Sequence, residues 1–117
     1  MINRTHRFHG HGSLRFVYQN GKTVRGPLTS IKFIENTRRS KYRVAVVVSK
    51  KVSKKAVIRN RIRRRLYEAV RLNESIIITP FDIVVTVFHE KIAEIPADEL
   101  QRLVNAQLLQ AKVIEKA

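Results

Sequence analysis

The chain has 117 residues, a length that suits one compact domain, and 44% of them are hydrophobic, which excludes wholesale disorder. It contains no cysteine, so a disulfide framework and a thiolate metal site are excluded. No apolar run approaches the roughly 20 residues of a membrane span, and no apolar stretch follows the charged N-terminus as in a secretory signal. We therefore expect a single domain over residues 1–117, without a membrane, in the cytoplasm.

The charge is large and unevenly distributed. The sequence has 24 Lys and Arg against 9 Asp and Glu, a formal net charge of +15. Residues 1–67 hold 19 basic residues and one acidic residue, Glu35, whereas residues 68–117 hold 5 basic and 8 acidic residues. Crowded like charges repel and do not help folding, so a concentrated field of one sign indicates a polyanionic partner.

The first twelve residues are predicted to form a flexible basic arm. They include His6, His9 and His11, whose spacing could suggest a metal site. Such a site needs a fixed fold and usually a fourth ligand, so the pattern favours a solvated arm.

The elements that follow are a short helix and a set of strands. Ser13 is a candidate N-cap for a helix from Leu14 to about Gln19, which Asn20-Gly21 ends. Residues 22–35 have the pattern of extended chain interrupted at Gly26-Pro27. Residues 42–48 are β-branched and almost continuously apolar, which is typical of a central strand buried on both faces.

Residues 54–73 are predicted to form a long helix with Ser53 as N-cap. Its apolar residues recur at spacings of three and four, at Ile58, Ile62, Leu66, Ala69 and Val70. Residues 76–78 and 83–88 are strand-like. Pro96 opens a last helix, whose apolar stripe comprises Leu100, Leu103, Val104, Leu108, Ala111 and Ile114.

This order predicts an α/β, or α+β, two-layer sandwich. It places three helices on a small mixed sheet of about four strands, in the order helix, strands, helix, strand, helix. The strand at 42–48, the long helix and the strand at 83–88 form a candidate β-α-β unit with a parallel pair.

The segment from Ser49 to Glu68 concentrates the charge. Nine of its twenty residues are basic and only Glu68 is acidic. Solvated helix faces usually alternate in sign, because Glu–Lys pairs four residues apart stabilise them. Arginine can hold two phosphate oxygens with its planar guanidinium, and helix N-termini also favour anions. The segment therefore predicts a phosphate-binding surface.

The same segment resembles the signature of the bacterial ribonuclease P protein family. That signature is Ser-Lys-Lys, a small-residue turn, and Ala-Val-x-Arg-Asn-Arg-Ile followed by basic residues. Here it is matched by Ser49-Lys50-Lys51, Ala56-Val57 and Arg59-Asn60-Arg61-Ile62-Arg63-Arg64. Residues 17–21 also resemble the end of the family's first helix, and residues 82–88 its strand after the long helix.

Three positions depart from the family pattern. Ser53 stands where the family usually has glycine, and Leu14 where it usually has an aromatic residue. Arg65 occupies a normally apolar position, at the edge of the helix stripe, where we expect its stem to pack and its head to reach water.

The resemblance implies a subunit of an endoribonuclease that removes the 5′ leader of precursor tRNA. It implies that the RNA subunit performs the chemistry with RNA-bound Mg²⁺, that the protein alone requires no cofactor, and that a monomeric protein joins one RNA. It also implies a left-handed β-α-β crossover and no catalytic residue in the protein. The residues expected to face the catalytic RNA are Lys50, Lys51, Lys54, Lys55, Arg59, Asn60, Arg61, Arg63 and Arg64.

A cleft between the sheet and the first helix is expected to hold the leader of the precursor tRNA. Tyr18 could stack on a leader base or belong to the core, Leu14 could give apolar contact, and Lys32 would project beside them. The alternatives are a ribosomal-type protein that binds folded RNA without enzymatic context, and a protein with its own catalytic site. The second has little support, because Glu68, Glu74 and Asp82 show no metal-ligand spacing and only His89 is expected to be fixed by the fold.

Overall fold

The computed structural model describes residues 6–8, 11–77 and 79–115, and these residues form three helices and a four-stranded sheet. The helices are α1 (His11–Asn20), α2 (Ala56–Arg71) and α3 (Ala97–Gln110). The strands are β1 (Lys22–Arg25), β2 (Thr29–Glu35), β3 (Arg43–Val47) and β4 (Phe81–Val87), and two short 3₁₀ turns cover Glu74–Ile76 and Glu90–Ala93. The predicted fold class and element order are confirmed.

The sheet is mixed, with the strand order β1-β2-β4-β3. The β1/β2 and β2/β4 pairs are antiparallel, and the β3/β4 pair is parallel, with Val44 opposite Ile83. Because α2 connects the parallel strands β3 and β4, the predicted β-α-β unit is present.

The two faces of the sheet bury different residues. The core face, which packs against α2 and α3, includes Ile31, Val44, Ile83 and Val85. On the opposite face, Val84 and Ala45 form a smaller cluster with Val17, Phe8 and partly buried Leu14. We call this second face the cleft face, because α1 covers only part of it. Lys32 of β2, which pairs with Val84, and Ser30 of β2 lie on the same face.

The prediction of a central position for β3 is wrong. β3 is buried on both faces as predicted, but it lies at the edge of the sheet, and the central strands are β2 and β4. Residues 6–8 cover its free edge, where Arg7 bridges Val44 in parallel register. Edge strands of soluble proteins are commonly covered in this way, and burial alone does not distinguish a covered edge from a centre.

The prediction of a flexible arm is therefore wrong for residues 6–8. His6 and Phe8 are buried, and Phe8 N–H donates to the Val44 carbonyl over 3.2 Å. His6 is thus a second histidine that the fold fixes, contrary to the expectation that only His89 is. His9 lies outside the described residues, as does the side chain of His11.

Several predicted boundaries shift. α1 begins at His11, so Ser13 lies inside the helix and does not cap it. α2 begins at Ala56 with Lys55 before it, and Ser53 Oγ accepts only the Lys55 N–H, over 3.3 Å. The predicted strand at 76–78 is wrong for its described part, because Glu74–Ile76 is a 3₁₀ turn that delivers Ile77 to the core. A short apolar run does not by itself specify a strand.

The last helix agrees with its predicted stripe. Leu100, Val104 and Leu108 are buried, and Leu103 is half-buried. The chain leaves the helix at Gln110, but Ala111 and Ile114 continue the buried set from the turn that follows.

Candidate nucleic-acid interface

The four lysines of the predicted interface lie on a tight turn and at the start of α2. The turn is closed by the Val52 N–H, which donates to the Ser49 carbonyl over 3.1 Å, and Ser53 is buried beneath it. Because the small residue packs inward, the neighbouring charged side chains point outward. The exposed side chains are Lys50, Lys51, Lys54 and Lys55.

The outward face of α2 carries the middle of the predicted interface. Ile62, Leu66, Ala69 and Val70 are buried on the opposite face, which fixes the orientation of the helix. Arg64 is exposed, and Arg63 is half-exposed, with its Nη1 donating to Asn60 Oδ1 over 2.6 Å. Asn60 therefore holds one arginine of the interface in place through its carbonyl oxygen.

These cations have no carboxylate partners within the described part of the chain. The ion pairs found there join His6 to Glu74, Arg43 to Asp82, Arg71 to Glu68 and Arg102 to Asp98. Hydrogen bonds from Arg71 hold the pKa of Glu68 at about 2, so this carboxylate stays ionised and its charge is matched by Arg71. The basic surface therefore presents unneutralised charge, as expected of a phosphate-binding surface.

Two predicted interface arginines also bind the protein backbone. Arg59 Nη1 donates to the Ser53 carbonyl over 2.9 Å, and Arg61 Nε donates to the Ala93 carbonyl over 2.7 Å. Arg61 remains exposed and Arg59 half-exposed, so each guanidinium has donors left. Both residues have a structural role that the sequence did not indicate.

Arg65 differs from the expectation that its head reaches water. Its guanidinium donates to the Ile92 carbonyl over 2.6 Å and to the Ile95 carbonyl over 2.5 Å. Burial, and then the neighbouring Arg61, lower the pKa of Arg65. An arginine is accommodated at this normally apolar position because two backbone carbonyls of the segment after β4 accept hydrogen bonds from its guanidinium.

The predicted cleft residues come together on the cleft face. Tyr18 is 40% exposed, so it is not a core residue, and Lys32 Nζ donates to its carbonyl over 2.7 Å. Lys32 Nζ also lies 5.6 Å from the centre of the Tyr18 ring. Leu14 is half-buried against the smaller core cluster, so much of its apolar contact is made within the protein.

The cleft face extends further than the sequence reasoning anticipated. Arg25 is opposite Ser30, and its guanidinium carbon lies 5.0 Å from the centre of the exposed Phe88 ring. Phe88 is joined to Leu28 by a 2.8 Å hydrogen bond from its N–H to the Leu28 carbonyl. The period-two alternation of β2 places Ser30 and Lys32 on one face, but only the strand pairing adds Arg25 and Phe88.

A groove of about 1060 Å³ runs along α2 and the start of α3. Its lining includes Arg7, Asn60, Arg63, Tyr67 and Leu72. Tyr67 and Arg7 were not predicted as site residues, since Tyr67 has no charge and Arg7 was placed in a flexible arm. The groove combines apolar surface and arginines, which suit nucleotide bases and phosphates. The carboxylates of Glu68 and Asp98 also line it, and they are paired with Arg71 and Arg102.

No metal centre or membrane span is found in the described ranges. Among these residues, no group of three or more His, Asp or Glu is placed to hold a metal ion. The carboxylate of Asp82 accepts two hydrogen bonds from Arg43, and Glu74 binds His6. Likewise, no helix in this part of the chain is both long and apolar enough to cross a membrane.

A basic helix on a small mixed sheet, with an open cleft on the other side, defines a compact α+β protein with a concentrated cationic surface. The family model described as Ribonuclease P matches residues 2–112. The chain belongs to the ribonuclease P protein family, as its sequence signature predicts.

Curated relatives agree with this assignment. The chain is 36% identical over 110 residues to the "Ribonuclease P protein component" of Chloroflexus aurantiacus, and the match covers 94% of this chain and 80% of that protein. It is 38% identical over 79 residues to the protein of the same name from Prochlorococcus marinus, covering 57% of this chain. That match spans 61% of the Prochlorococcus protein.

Solved structures show the same fold. The Staphylococcus aureus RNase P protein superposes with a TM-score of 0.83 at 25% identity, covering 93% of this chain and 97% of that one. The Thermotoga maritima RNase P protein gives a TM-score of 0.74 at 24% identity, covering 83% and 89% of the two chains.

Proposed function

We propose that this chain is the protein subunit of ribonuclease P, which binds the catalytic RNA and aids removal of the 5′ leader from precursor tRNA. The observation that carries the proposal is the unpaired cationic surface formed by the turn at 49–55 and the outward face of α2, in a chain of this family. A protein that meets several phosphates gains affinity by releasing counterions.

The interface toward the RNA subunit uses two kinds of contact. The exposed lysines supply mobile point charges, whereas Arg63 and Arg64 supply planar groups that bind two phosphate oxygens at once. Asn60 orients Arg63, and Arg59 and Arg61 contribute the donors that their backbone bonds leave over. The protein joins the RNA as one monomer per RNA.

The precursor tRNA leader binds on the cleft face. Tyr18 offers an exposed ring for stacking on a base, and Lys32 lies beside that ring to meet the adjoining phosphate. Changing Tyr18→Ala should weaken holoenzyme binding of precursor tRNA by about 1–3 kcal/mol, the usual value of one base stack. Tyr18→Phe retains the ring and is the matched control, and mature tRNA without a leader should bind all three proteins equally.

Chemistry belongs to the RNA subunit in this proposal. Hydrolysis of a phosphodiester needs an activated water and stabilisation of the developing charge, which RNA-bound Mg²⁺ supplies in the holoenzyme. This protein binds the RNA subunit, orients the precursor tRNA and neutralises phosphate charge. The purified protein without RNA should therefore cleave nothing. With the RNA subunit at saturating magnesium, His89→Ala, Glu68→Ala and Glu74→Ala should each retain the single-turnover rate within about tenfold.

Reconstitution tests the function. We expect the protein to restore cleavage of a leader-bearing precursor tRNA by an in vitro transcript of a bacterial ribonuclease P RNA at low magnesium, where the RNA alone is inactive. A protein that binds the RNA without restoring cleavage would instead be a structured-RNA-binding protein of ribosomal type. Mass measurement of the active complex would report the expected single copy of the protein.

A further inference from the structure

Residues 6–8 pack closely against the rest of the fold. His6 and Phe8 are 9% and 4% exposed, and Arg7 between them bridges Val44 of β3. Arg7 itself is only half-buried. The segment therefore anchors two side chains in the protein and directs the third, Arg7, elsewhere.

The anchor at His6 is built from two elements. Its Nδ1 lies 2.8 Å from the Tyr42 carbonyl oxygen, and its Nε2 lies 2.9 Å from Glu74 Oε1. Both ring nitrogens therefore lie within hydrogen-bond distance of an oxygen atom. The ring also stacks on Tyr42 at a centroid distance of 4.1 Å.

The surroundings of His6 keep Glu74 in place. Tyr42 is buried, and its hydroxyl donates to Glu74 Oε1 over 3.5 Å. Burial, and then the negative charge of Glu74, raise the pKa of Tyr42, so its phenol stays protonated and continues to donate. Glu74 thus bridges the start of β3 and the N-terminal segment.

The anchor at Phe8 lies on the cleft face. Phe8 belongs to the cluster of Val17, Ala45 and Val84. The guanidinium carbon of Arg43 lies 4.7 Å from the centre of its ring, and Arg43 is itself held by Asp82. Because His6 and Phe8 are both packed into the protein, the backbone of Arg7 between them is held in place.

Arg7 is directed to the side of α2 that faces β3, where the Tyr67 hydroxyl accepts the Val46 N–H over 3.3 Å. Its guanidinium carbon lies 5.9 Å from the centre of the Tyr67 ring. Tyr67 is one helical turn beyond Arg63, and Arg7, Tyr67, Arg63 and Asn60 all line the same groove. None of the ion pairs or hydrogen bonds of the described residues occupies the Arg7 side chain, so its charge is available to a ligand.

We propose that residues 6–8 form a clip that holds Arg7 on the α2 groove as a further contact for a phosphate of the RNA subunit. The clip extends the row of interface cations past Arg63, to the point where the helix itself carries Tyr67 and Glu68. A cation on a pre-ordered segment binds better than one on a loose arm, because its ordering does not oppose association. This inference rests on the proposed function, since it adds a contact to the same RNA interface.

Salt-dependent binding of the full-length protein to an in vitro transcript of a bacterial ribonuclease P RNA tests the contact. Arg7→Gln should weaken binding about five- to tenfold at moderate salt and reduce the log–log salt slope by roughly 0.7–0.9, the value of one phosphate contact. Lys112→Gln, which removes an exposed cation from the turn after α3, is the matched control and should behave as wild type.

The clip is tested through its positioning residue. His6→Ala should weaken binding as much as Arg7→Gln, and the double variant should lose no more than either single one, because both changes remove the same contact. Glu74→Gln removes the carboxylate that binds His6 Nε2. It replaces His6→Ala in the test if circular dichroism shows that His6→Ala does not fold. It should give the same loss.

The outcomes separate the two proposals. If wild-type protein binds the RNA with a steep salt slope but Arg7→Gln binds equally well, the Arg7 contact is refuted and the proposed function stands. If Arg7→Gln weakens binding while His6→Ala and Glu74→Gln do not, or if the double variant shows additive losses, the clip is refuted. Salt-independent or absent binding by the wild type would refute the proposed function itself.

Discussion

The basic residues around α2 form two sets that differ in what their charges meet. The carbonyl-bound arginines, which are Arg59, Arg61 and Arg65, donate to backbone oxygens of the protein. The solvent-facing cations donate to no backbone oxygen within the described residues and have no carboxylate partner there. They are Lys50, Lys51, Lys54, Lys55, Arg63 and Arg64. A single run of charge in the sequence thus contains arginines that bind the protein backbone and cations that remain for the proposed RNA contact.

Helix geometry accounts for the division. Arg61 and Arg65 are four residues apart and therefore share one side of α2, which faces the segment from Ile92 to Ile95. Arg64 is exposed on another side of the same helix. The backbone carbonyls of a tight turn need donors, and arginine beside an apolar stripe can satisfy them while its stem packs.

Removing the turn lysines should have the largest effect. Changing Lys50, Lys51, Lys54 and Lys55 together to Gln should weaken binding of a ribonuclease P RNA transcript by roughly 10²–10³-fold at moderate salt, and reduce the salt slope by about 3. Folding should be unchanged, because these side chains are exposed. The matched control replaces four other exposed cations, Lys22, Arg38, Arg39 and Lys41. Equal losses in both proteins would mean that net charge, not this surface, governs binding.

Arg65→Ala should give the largest loss of stability among the single changes. It removes two hydrogen bonds to backbone carbonyls, and each charge-assisted bond is typically worth about 1.5–3 kcal/mol. Because Arg65 is only half-buried, we expect the lower end of the sum, a fall of about 3 kcal/mol in the free energy of unfolding in urea, with little change in RNA affinity for the folded protein. The adjacent Arg64→Ala should show the reverse pattern. If Arg65→Ala and Arg64→Ala changed stability and RNA affinity equally, the distinction between carbonyl-bound arginines and solvent-facing cations would be wrong.

The pair Arg59→Ala, Arg61→Ala removes two carbonyl-bound arginines that also have donors left for a phosphate. The sequence alone predicts an intact fold and weaker holoenzyme assembly. Because both side chains also bind carbonyls, we expect a further loss of about 1–2 kcal/mol in stability. Circular dichroism melting and RNA binding on one sample measure both effects, with Arg63→Ala, Arg64→Ala as the comparison. A fully unfolded spectrum would make these arginines structural rather than RNA-binding.

The smallest effect concerns Glu68 at acid pH. Hydrogen bonds from Arg71 lower its folded-state pKa from 4.5 to about 2. A group with a depressed folded-state pKa stabilises the protein above its unfolded pKa, and this contribution is lost as pH falls through the folded pKa. We therefore expect Glu68→Gln to lower the melting temperature slightly at pH 7 and not at pH 2. Since Glu68 is partly exposed, solvent screening keeps the difference small. A larger deficit at low pH would contradict this sign.

Much of the candidate site could be predicted because its signals are local. The apolar stripe from Ile62 to Val70 determines which side of α2 is buried. The run of basic residues predicts that its other side binds an anion. Tyr18 and Lys32 could be assigned to one cleft only through the family resemblance, and the structure brings them together. The partners of Arg61 and Arg65 could not be predicted, since Ala93 and Ile92 are about thirty residues away in the sequence.

The sequence by itself determined the three helices, the four strands of the sheet, the two-layer fold and the cationic surface, because periodicity and charge are properties of neighbouring residues. Only the tertiary structure decided that β3 lies at an edge, that residues 6–8 cover it, and that Arg7 reaches Tyr67. It also decided which arginines of α2 are held by carbonyls. Each of these features joins segments that are distant in the chain, and no local pattern encodes which distant acceptor or strand edge a residue will meet.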